Sequence, residues 1–348
     1  MHRVLVLALS AALLVAAPTQ ATSTALATST AQATSTAQAT STALATSTAH
    51  ATSTRATSAA DDGARVVEQT WLDDRTTDIT IASPAIGGNV KARILTPRGW
   101  SPTATRSWPV VYLLQGVGDD YTSWTRETDV EQLSADSDVL VVMPDGGRSG
   151  WYTDWYNNGR GGSPKWETFH TAELLQLVER NFRGGANRAV AGLSAGGTGA
   201  FGYAAKHPGM FKAAASYSGL LSTQFVGVPQ FVYTTVLREG LDPYGPWGRE
   251  TLTPQVWAAN NPRELAPKLR GTALYLSYGN GFAGELDTGW VYDPWETIVG
   301  ATAPDFVNRV RQAGIPITVH AYGGGTHAWK YWQRELRASW PMLTAAIG

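Results

Sequence analysis

The chain has no cysteine. Its fold must hold without disulfides, and thiol chemistry, zinc–thiolate sites and iron–sulfur clusters are excluded. Charge of one sign is scarce too: 27 Lys and Arg face 28 Asp and Glu, a net charge of −1 with no basic block. Nucleic acid, which demands a basic face, is therefore not an expected partner. No phosphate-cradling glycine loop and no His/Asp/Glu cluster at metal spacing occurs, so no nucleotide, cofactor or metal is implied. Beyond the first twenty residues no apolar run is long enough for a comfortable membrane span, and the chain is not expected to cross one.

The N-terminus carries the opposite kind of signal. Met1-His2-Arg3 precedes an almost wholly apolar stretch from Val4 to Ala17, and Thr19-Gln20-Ala21 offers a small-x-small cleavage site. Residues 1–21 read as a signal peptide, and the chain as secreted, extracellular or associated with the cell envelope. From Ala21 the hexapeptide Ala-Thr-Ser-Thr-Ala-x repeats, with Leu26, Gln32, Gln38, Leu44 and His50 in the variable place. Nothing in it can build a core, so residues 22–63 read as a disordered linker open to O-glycosylation. A hexapeptide β-solenoid would need bulky inward residues that this repeat lacks. Residues 64–348 have the length of one α/β domain.

Within that domain strand and helix patterns alternate. Pro109-Val-Val-Tyr-Leu-Leu114 and Val139-Leu-Val-Val-Met143 are continuous apolar runs, as in strands buried on both faces of a parallel sheet. Further strands are predicted at Thr77–Ala82, Asn89–Leu95, Arg188–Ala191, Lys212–Ser218, Thr272–Ser277 and Pro316–Tyr322. Helices are predicted from Lys165 to Arg180, after Gly196, over Ala303–Gln312 and from Trp329 to Ala346. The fold class is α/β with a mainly parallel sheet.

Between a small apolar strand and a small-residue helix stands Gly192-Leu-Ser-Ala-Gly196. A G-x-S-x-G in that setting is what a nucleophile elbow needs: a sharp turn lifting the Ser194 hydroxyl over the sheet edge. Thirty-six glycines make chance matches easy, so the remaining chemistry has to be found as well. A serine hydroxyl needs a base. His170 falls mid-helix, His207 closes the elbow helix and His320 lies inside the last strand. Only His327, in Gly323-Gly-Gly-Thr-His-Ala-Trp329, lies just beyond a strand's C-terminal end on the elbow's side of the sheet. The orienting carboxylate belongs after the strand Thr272–Ser277, where Glu285 and Asp287 both qualify and Asp293 is a weaker third. A tetrahedral oxyanion would take the N–H of Ala195 at the helix start and that of Val117 in the Gln115-Gly116-Val117 turn.

Fourteen Trp and thirteen Tyr are a surplus compatible with a cleft for apolar or carbohydrate groups. The loop Trp151–Tyr156 and the excursion Leu221–Pro262 are the expected walls. Gln115, Gly116, Trp155, Trp247 and Trp329 are the expected substrate contacts.

Several stretches together resemble the esterase-D-type α/β-hydrolases, and among them the secreted mycolyltransferases of mycobacteria and corynebacteria. They are Val111-Tyr-Leu-Leu-x-Gly116, Asp119-Asp-Tyr-x-x-Trp124, Val142-Met-Pro144, Tyr152-x-Asp-Trp-Tyr156, Lys165-Trp-Glu-Thr-Phe169, Gly192-Leu-Ser194, Tyr278-Gly-Asn-Gly281 with Glu285-Leu286, and Gly325-Thr-His-x-Trp329 with Tyr331-Trp332. The resemblance runs in register from about Thr77 onward. It implies an α/β-hydrolase fold, Ser194 as nucleophile, His327 as base, Glu285 as the orienting acid, and Val117 and Ala195 as oxyanion donors. The family's acceptor-sugar aspartate is replaced by Gln115, its nearby arginine is missing, and its cysteines are absent.

The expected function is that of a secreted serine esterase or acyltransferase working through an acyl-enzyme. Its partners are an ester with a lipid-like or other acyl group, and water or a sugar or other alcohol as acceptor. A trehalose mycolyltransferase is the same-mechanism alternative, and a non-catalytic cell-wall-binding module the alternative of another class.

Overall fold

The apolar runs assemble into one sheet. A computed structural model describes residues 57–348, and in it nine strands pair in the order β1-β2-β3-β5-β4-β6-β7-β8-β9. The expected signal peptide and the repeat as far as residue 56 lie outside the described residues. β1 (Arg65–Trp71), β2 (Thr76–Ser83) and β3 (Gly88–Leu95) form an antiparallel meander that joins β5 (Leu140–Pro144). β4 (Trp108–Leu114), β5, β6 (Gly184–Leu193), β7 (Ala213–Tyr217), β8 (Ala273–Tyr278) and β9 (Thr318–Ala321) pair in parallel. The α/β class read from the sequence is thus the observed one. β1 is an addition: a register shift between Val66 and Glu68 breaks its alternation, which removes the period-2 signal.

Both faces of the parallel strands are covered, which is why those strands are apolar throughout. In β4, Val110, Tyr112 and Leu114 enter one core, and Val111 and Leu113 the other. The helices are α1 (Ser123–Glu127), α2 (Val130–Ala135), α3 (Trp166–Thr168), α4 (Leu174–Phe182), α5 (Ala195–Lys206), α6 (Val228–Arg238), α7 (Pro254–Ala259), α8 (Pro262–Leu265), α9 (Pro294–Gln312) and α10 (Trp329–Ala345). Val178, Phe201 and Phe306 from α4, α5 and α9 pack on the first face, while Trp124 from α1 and Leu336 and Trp340 from α10 pack on the second.

The sheet turns both ways from β4, whose neighbours are β5 on one side and β6 on the other. In parallel sheets the crevice at such a switch point, beyond the strands' C-terminal ends, is the ligand position. The Gln115–Val117 turn leaves β4 there, and Ser194 leaves β6.

α9 begins nine residues before the helix expected from Ala303. Asp293 is its N-cap, accepting from the N–H groups of Trp295 and Glu296, and Pro294 fills its first position. Pro304 sits inside the helix, where the sequence pattern suggested a start.

Residues just before β1 lie against α4. Ser58 N–H donates to Asn181 Oδ1 at 2.7 Å and Asp61 N–H to Gln176 Oε1 at 2.8 Å, while Ala60 is buried.

Candidate active site

At the end of β6 the backbone reverses through Ser194, whose φ of +52° and ψ of −123° lie outside the favoured regions for a residue with a side chain. The turn is held by the Ser194 N–H donating to Tyr217 C=O at 2.9 Å and by Thr198 N–H donating to Ser194 C=O at 3.1 Å. The two framing glycines are needed for close approach. A Cβ on Gly192 would overlap the carbonyl of Gly196, and one on Gly196 would overlap the carbonyl oxygens of Leu114 and Gln115. Strand β6, helix α5 and the turn after β4 are therefore packed backbone to backbone around the serine.

Ala195 opens α5, so its N–H is among those a helix leaves without an internal acceptor. Val117 N–H finds no acceptor among the described residues. Gly116 lies against the elbow, where a Cβ would come 3.4 Å from Ser194 Cβ. The turn is fixed from below: Tyr152 Oη donates to Gln115 C=O at 2.8 Å, and Gly118 N–H donates to Arg148 C=O at 2.6 Å.

His327 faces the same pocket as Ser194. That narrow pocket is otherwise lined by Leu220, Phe231, Trp295, Ile298 and Val299. The imidazole is held on several sides. Its Nδ1 lies 2.7 Å from Glu296 Oε2, and its ring meets Trp332 edge-on at 4.9 Å between centroids. Its backbone N–H donates to Asp293 Oδ2 at 2.8 Å. With Nδ1 engaged, Nε2 is left to exchange a proton.

Glu296 is the residue the sequence reading missed. It is completely buried on the first turn of α9. Its Oε1 accepts from Gly279 N–H at 2.6 Å and from Ser218 Oγ at 2.9 Å, and Trp332 Nε1 donates to that same hydroxyl at 3.1 Å. No lysine or arginine among the described residues pairs with it. Glu285 does not take this place: its side chain is 70 % exposed and pairs with Arg334. It sits on the loop between β8 and α9, whereas reaching the imidazole requires the first turn of α9. Asp287, the competing residue, pairs with Lys330 at 2.7 Å and accepts from Tyr331 Oη at 2.7 Å. These partners hold its carboxyl far below the usual range against the opposing effect of desolvation. The missed signal was Asp293-Pro-Trp-Glu296, a capping residue, a proline at the first position and an acid at the third.

The other histidines are engaged elsewhere. His170 is buried between Tyr203 Oη and Asp145 C=O, each 2.9 Å from a ring nitrogen, and burial pushes it down to about 4. His207 caps α5 and meets Glu167 at 2.9 Å, and His320 meets Glu335 at 2.9 Å.

Four of the five expected substrate contacts are packed against other parts of the chain. Gln115 is buried, with its amide donating to Asp119 C=O at 2.8 Å and Asp145 Oδ1 at 3.2 Å, so it braces the turn. Trp155 is buried, donating from Nε1 to Gly150 C=O at 3.1 Å. Trp247 is buried between Trp151 and Trp257. Trp329 stacks edge-on between Trp124 and Trp332 on the second face. The aromatic loop thus packs into the core, and through Tyr152 it holds the Gln115–Val117 turn. Of the long excursion, Phe231 alone reaches the pocket, and Trp295, next to Glu296, is the aromatic residue that sequence reasoning passed over.

A mainly parallel sheet with a serine elbow after β6, a histidine after β9 and glycine turns at the switch point defines an α/β-hydrolase-type fold. The "Putative esterase" family model matches residues 83–343, and the chain belongs to this esterase family. Esterase Rv1288 of Mycobacterium tuberculosis is 34 % identical over 272 residues, 76 % of this chain and 58 % of that protein. The chain thus spans little more than half the length of that relative. The diacylglycerol acyltransferase/mycolyltransferase Ag85B of Mycolicibacterium smegmatis is 32 % identical over 282 residues, 78 % of this chain and 85 % of that protein. Among solved structures, MPT51 of Mycobacterium tuberculosis superposes with a TM-score of 0.64 at 25 % identity, covering 76 % of this chain and 96 % of that one. No described helix is long and apolar enough to cross a membrane.

Proposed function

We propose that the protein is an exported serine ester hydrolase and acyltransferase with Ser194 as nucleophile, His327 as base and Glu296 as the orienting acid. The observation that carries this reading is the His327 Nδ1 bond to a buried carboxylate with no cation of its own, in a pocket shared with Ser194. Ser194 Oγ attacks the ester carbonyl carbon while its proton passes to His327 Nε2. Negative charge collects on the carbonyl oxygen, where the N–H groups of Ala195 and Val117 receive it. Collapse breaks the bond to the alcohol, which leaves with the proton from His327 and leaves the acyl group on Ser194. Water or a second alcohol then loses its proton to His327, attacks the acyl carbon and restores the serine.

Leu220, Phe231, Trp295, Ile298 and Val299 form an apolar bed suited to an acyl chain. Release to an alcohol is favoured as a second outcome by the relatives named as acyltransferases. Residues 1–21 act in this reading as the export signal and the repeat that follows, as far as residue 56, as a tether.

The test is turnover of a short-chain nitrophenyl ester by the native chain, Ser194→Ala and His327→Ala. Loss of turnover in both variants is expected, and equal turnover by Ser194→Ala would overturn the proposal. Adding glycerol or trehalose then divides hydrolysis from transfer: an unchanged product ratio argues against the transferase outcome. Export is checked by the N-terminal residue of the protein recovered outside the cell, expected near position 22.

A further inference from the structure

We propose that Asp293 is the positioning residue that locks the histidine to its acid, a role that rests on the triad reading just given. One carboxylate serves two distant parts of the chain. Its Oδ1 accepts from Trp295 N–H at 2.9 Å and Glu296 N–H at 3.3 Å, fixing the first turn of α9 from which Glu296 projects. Its Oδ2 accepts from the N–H of His327, 34 residues further on, at 2.8 Å. Among the described residues no other side chain bonds to the backbone of both Glu296 and His327.

The need for such a lock is visible in the loop. His327 follows Gly323-Gly-Gly325, two of them at positive φ, a stretch with little preference of its own for one conformation. Its other anchors are Gly325 N–H on Phe282 C=O at 2.7 Å, Gly281 N–H on Gly325 C=O at 3.0 Å, and Thr326 Oγ1 on Asp287 Oδ1 at 3.0 Å. All of these tie it to the β8–α9 loop; ahead of the glycines, Tyr322 Oη reaches Glu296 Oε1 at 3.4 Å, a long bond to the carboxylate and not to the backbone of α9. Asp293 joins the two. It is itself held by its N–H, which donates to Gly281 C=O at 2.6 Å. The Nδ1–Oε2 distance of 2.7 Å is thus set through backbone bonds to one side chain as well as by the pair's own attraction.

A plain helix cap would make the same contacts to α9, so the test must separate the two roles. Asn and Ser cap helices about as well as Asp. Asn, however, brings one carbonyl oxygen to two tasks, and Ser is too short for the second. In Asp293→Asn and Asp293→Ser, kcat is expected to fall about 10- to 100-fold, the scale of a roughly 1 Å misplacement. KM should change less than kcat, within about threefold, because Asp293 does not itself line the acyl pocket and both replacements still cap α9. Phosphonylation of Ser194 by a fluorophosphonate should slow by the same factor as kcat/KM. The downfield proton resonance of the His327–Glu296 bond should shift or broaden in both variants. Unchanged kcat in either variant overturns the proposal. So does a loss of kcat that follows only a fall in the unfolding midpoint with the resonance unchanged, since that is the mark of a cap alone. His327→Ala run in parallel separates the failures: if it retains activity, the triad reading is what has failed.

Discussion

Two histidines sit on fully buried glutamates at one end of the sheet, and only one of the pairs is placed for chemistry. His320 meets Glu335 at 2.9 Å and His327 meets Glu296 at 2.7 Å, in each case through Nδ1. Glu335 also accepts from Arg334 Nε at 2.7 Å and Tyr275 Oη at 2.7 Å, so its charge is already balanced. Its histidine is 46 % exposed on an edge strand, against 16 % for His327. Glu296 has hydrogen-bond donors but no lysine or arginine partner among the described residues, and its negative charge is available to an imidazolium when one forms. A His–Glu contact is thus not diagnostic by itself. What discriminates is whether the carboxylate is spent and what the other ring nitrogen faces.

The largest effect should come from Glu296→Gln. Turnover of an activated ester should fall about 10³- to 10⁴-fold, as when a triad carboxylate is replaced by its amide. Glu335→Gln should change kcat by no more than about threefold while costing roughly 2–4 kcal/mol in urea melts, because Arg334 loses its buried partner. If instead Glu335→Gln abolished turnover, the contrast would collapse.

His170 extends the comparison to a histidine with no carboxylate beside it. Its folded value of about 4 lies below the ordinary 6.5, so its contribution to stability is complete above about 6.5 and is lost as pH falls through 4. The full swing is on the order of 3 kcal/mol. His170→Asn should therefore flatten the fall in urea midpoint between pH 6.5 and 4, and an unchanged slope would remove His170 from the account. The smallest effect belongs to Glu285→Ala. An exposed ion pair is worth about 1 kcal/mol or less, so kcat should stay within about twofold. A large loss there would restore Glu285 as the acid and defeat the comparison.

Much of this was legible in the chain. Continuous apolar runs disclosed a parallel sheet because both its faces are covered. The glycines around Ser194 disclosed the elbow because only backbone fits there. His327 could be chosen by elimination, as the remaining histidines fell in helix or strand. The acid was hidden by a helix boundary. With the helix begun at Ala303, Glu296 fell in a presumed loop beside three more visible acids, and the N-terminal signature at Asp293-Pro294 went unused. The tryptophans misled for another reason. Aromatic surplus signals bulk to be buried somewhere, and in Trp155 and Trp247 that bulk is packed inside the domain, Trp247 against Trp151 and Trp257.

The segment ahead of β1 has a mechanical meaning. Ser58 and Asp61 are fastened to Asn181 and Gln176, near the two ends of α4, the helix that leads into the start of β6. Ser194 stands at the far end of that ten-residue strand, about 30 Å away at the usual strand rise. Tension entering the domain from its N-terminal side would load α4 and the lower rim of the sheet before it reached the upper rim. The anchored segment and the serine thus stand at opposite ends of one strand.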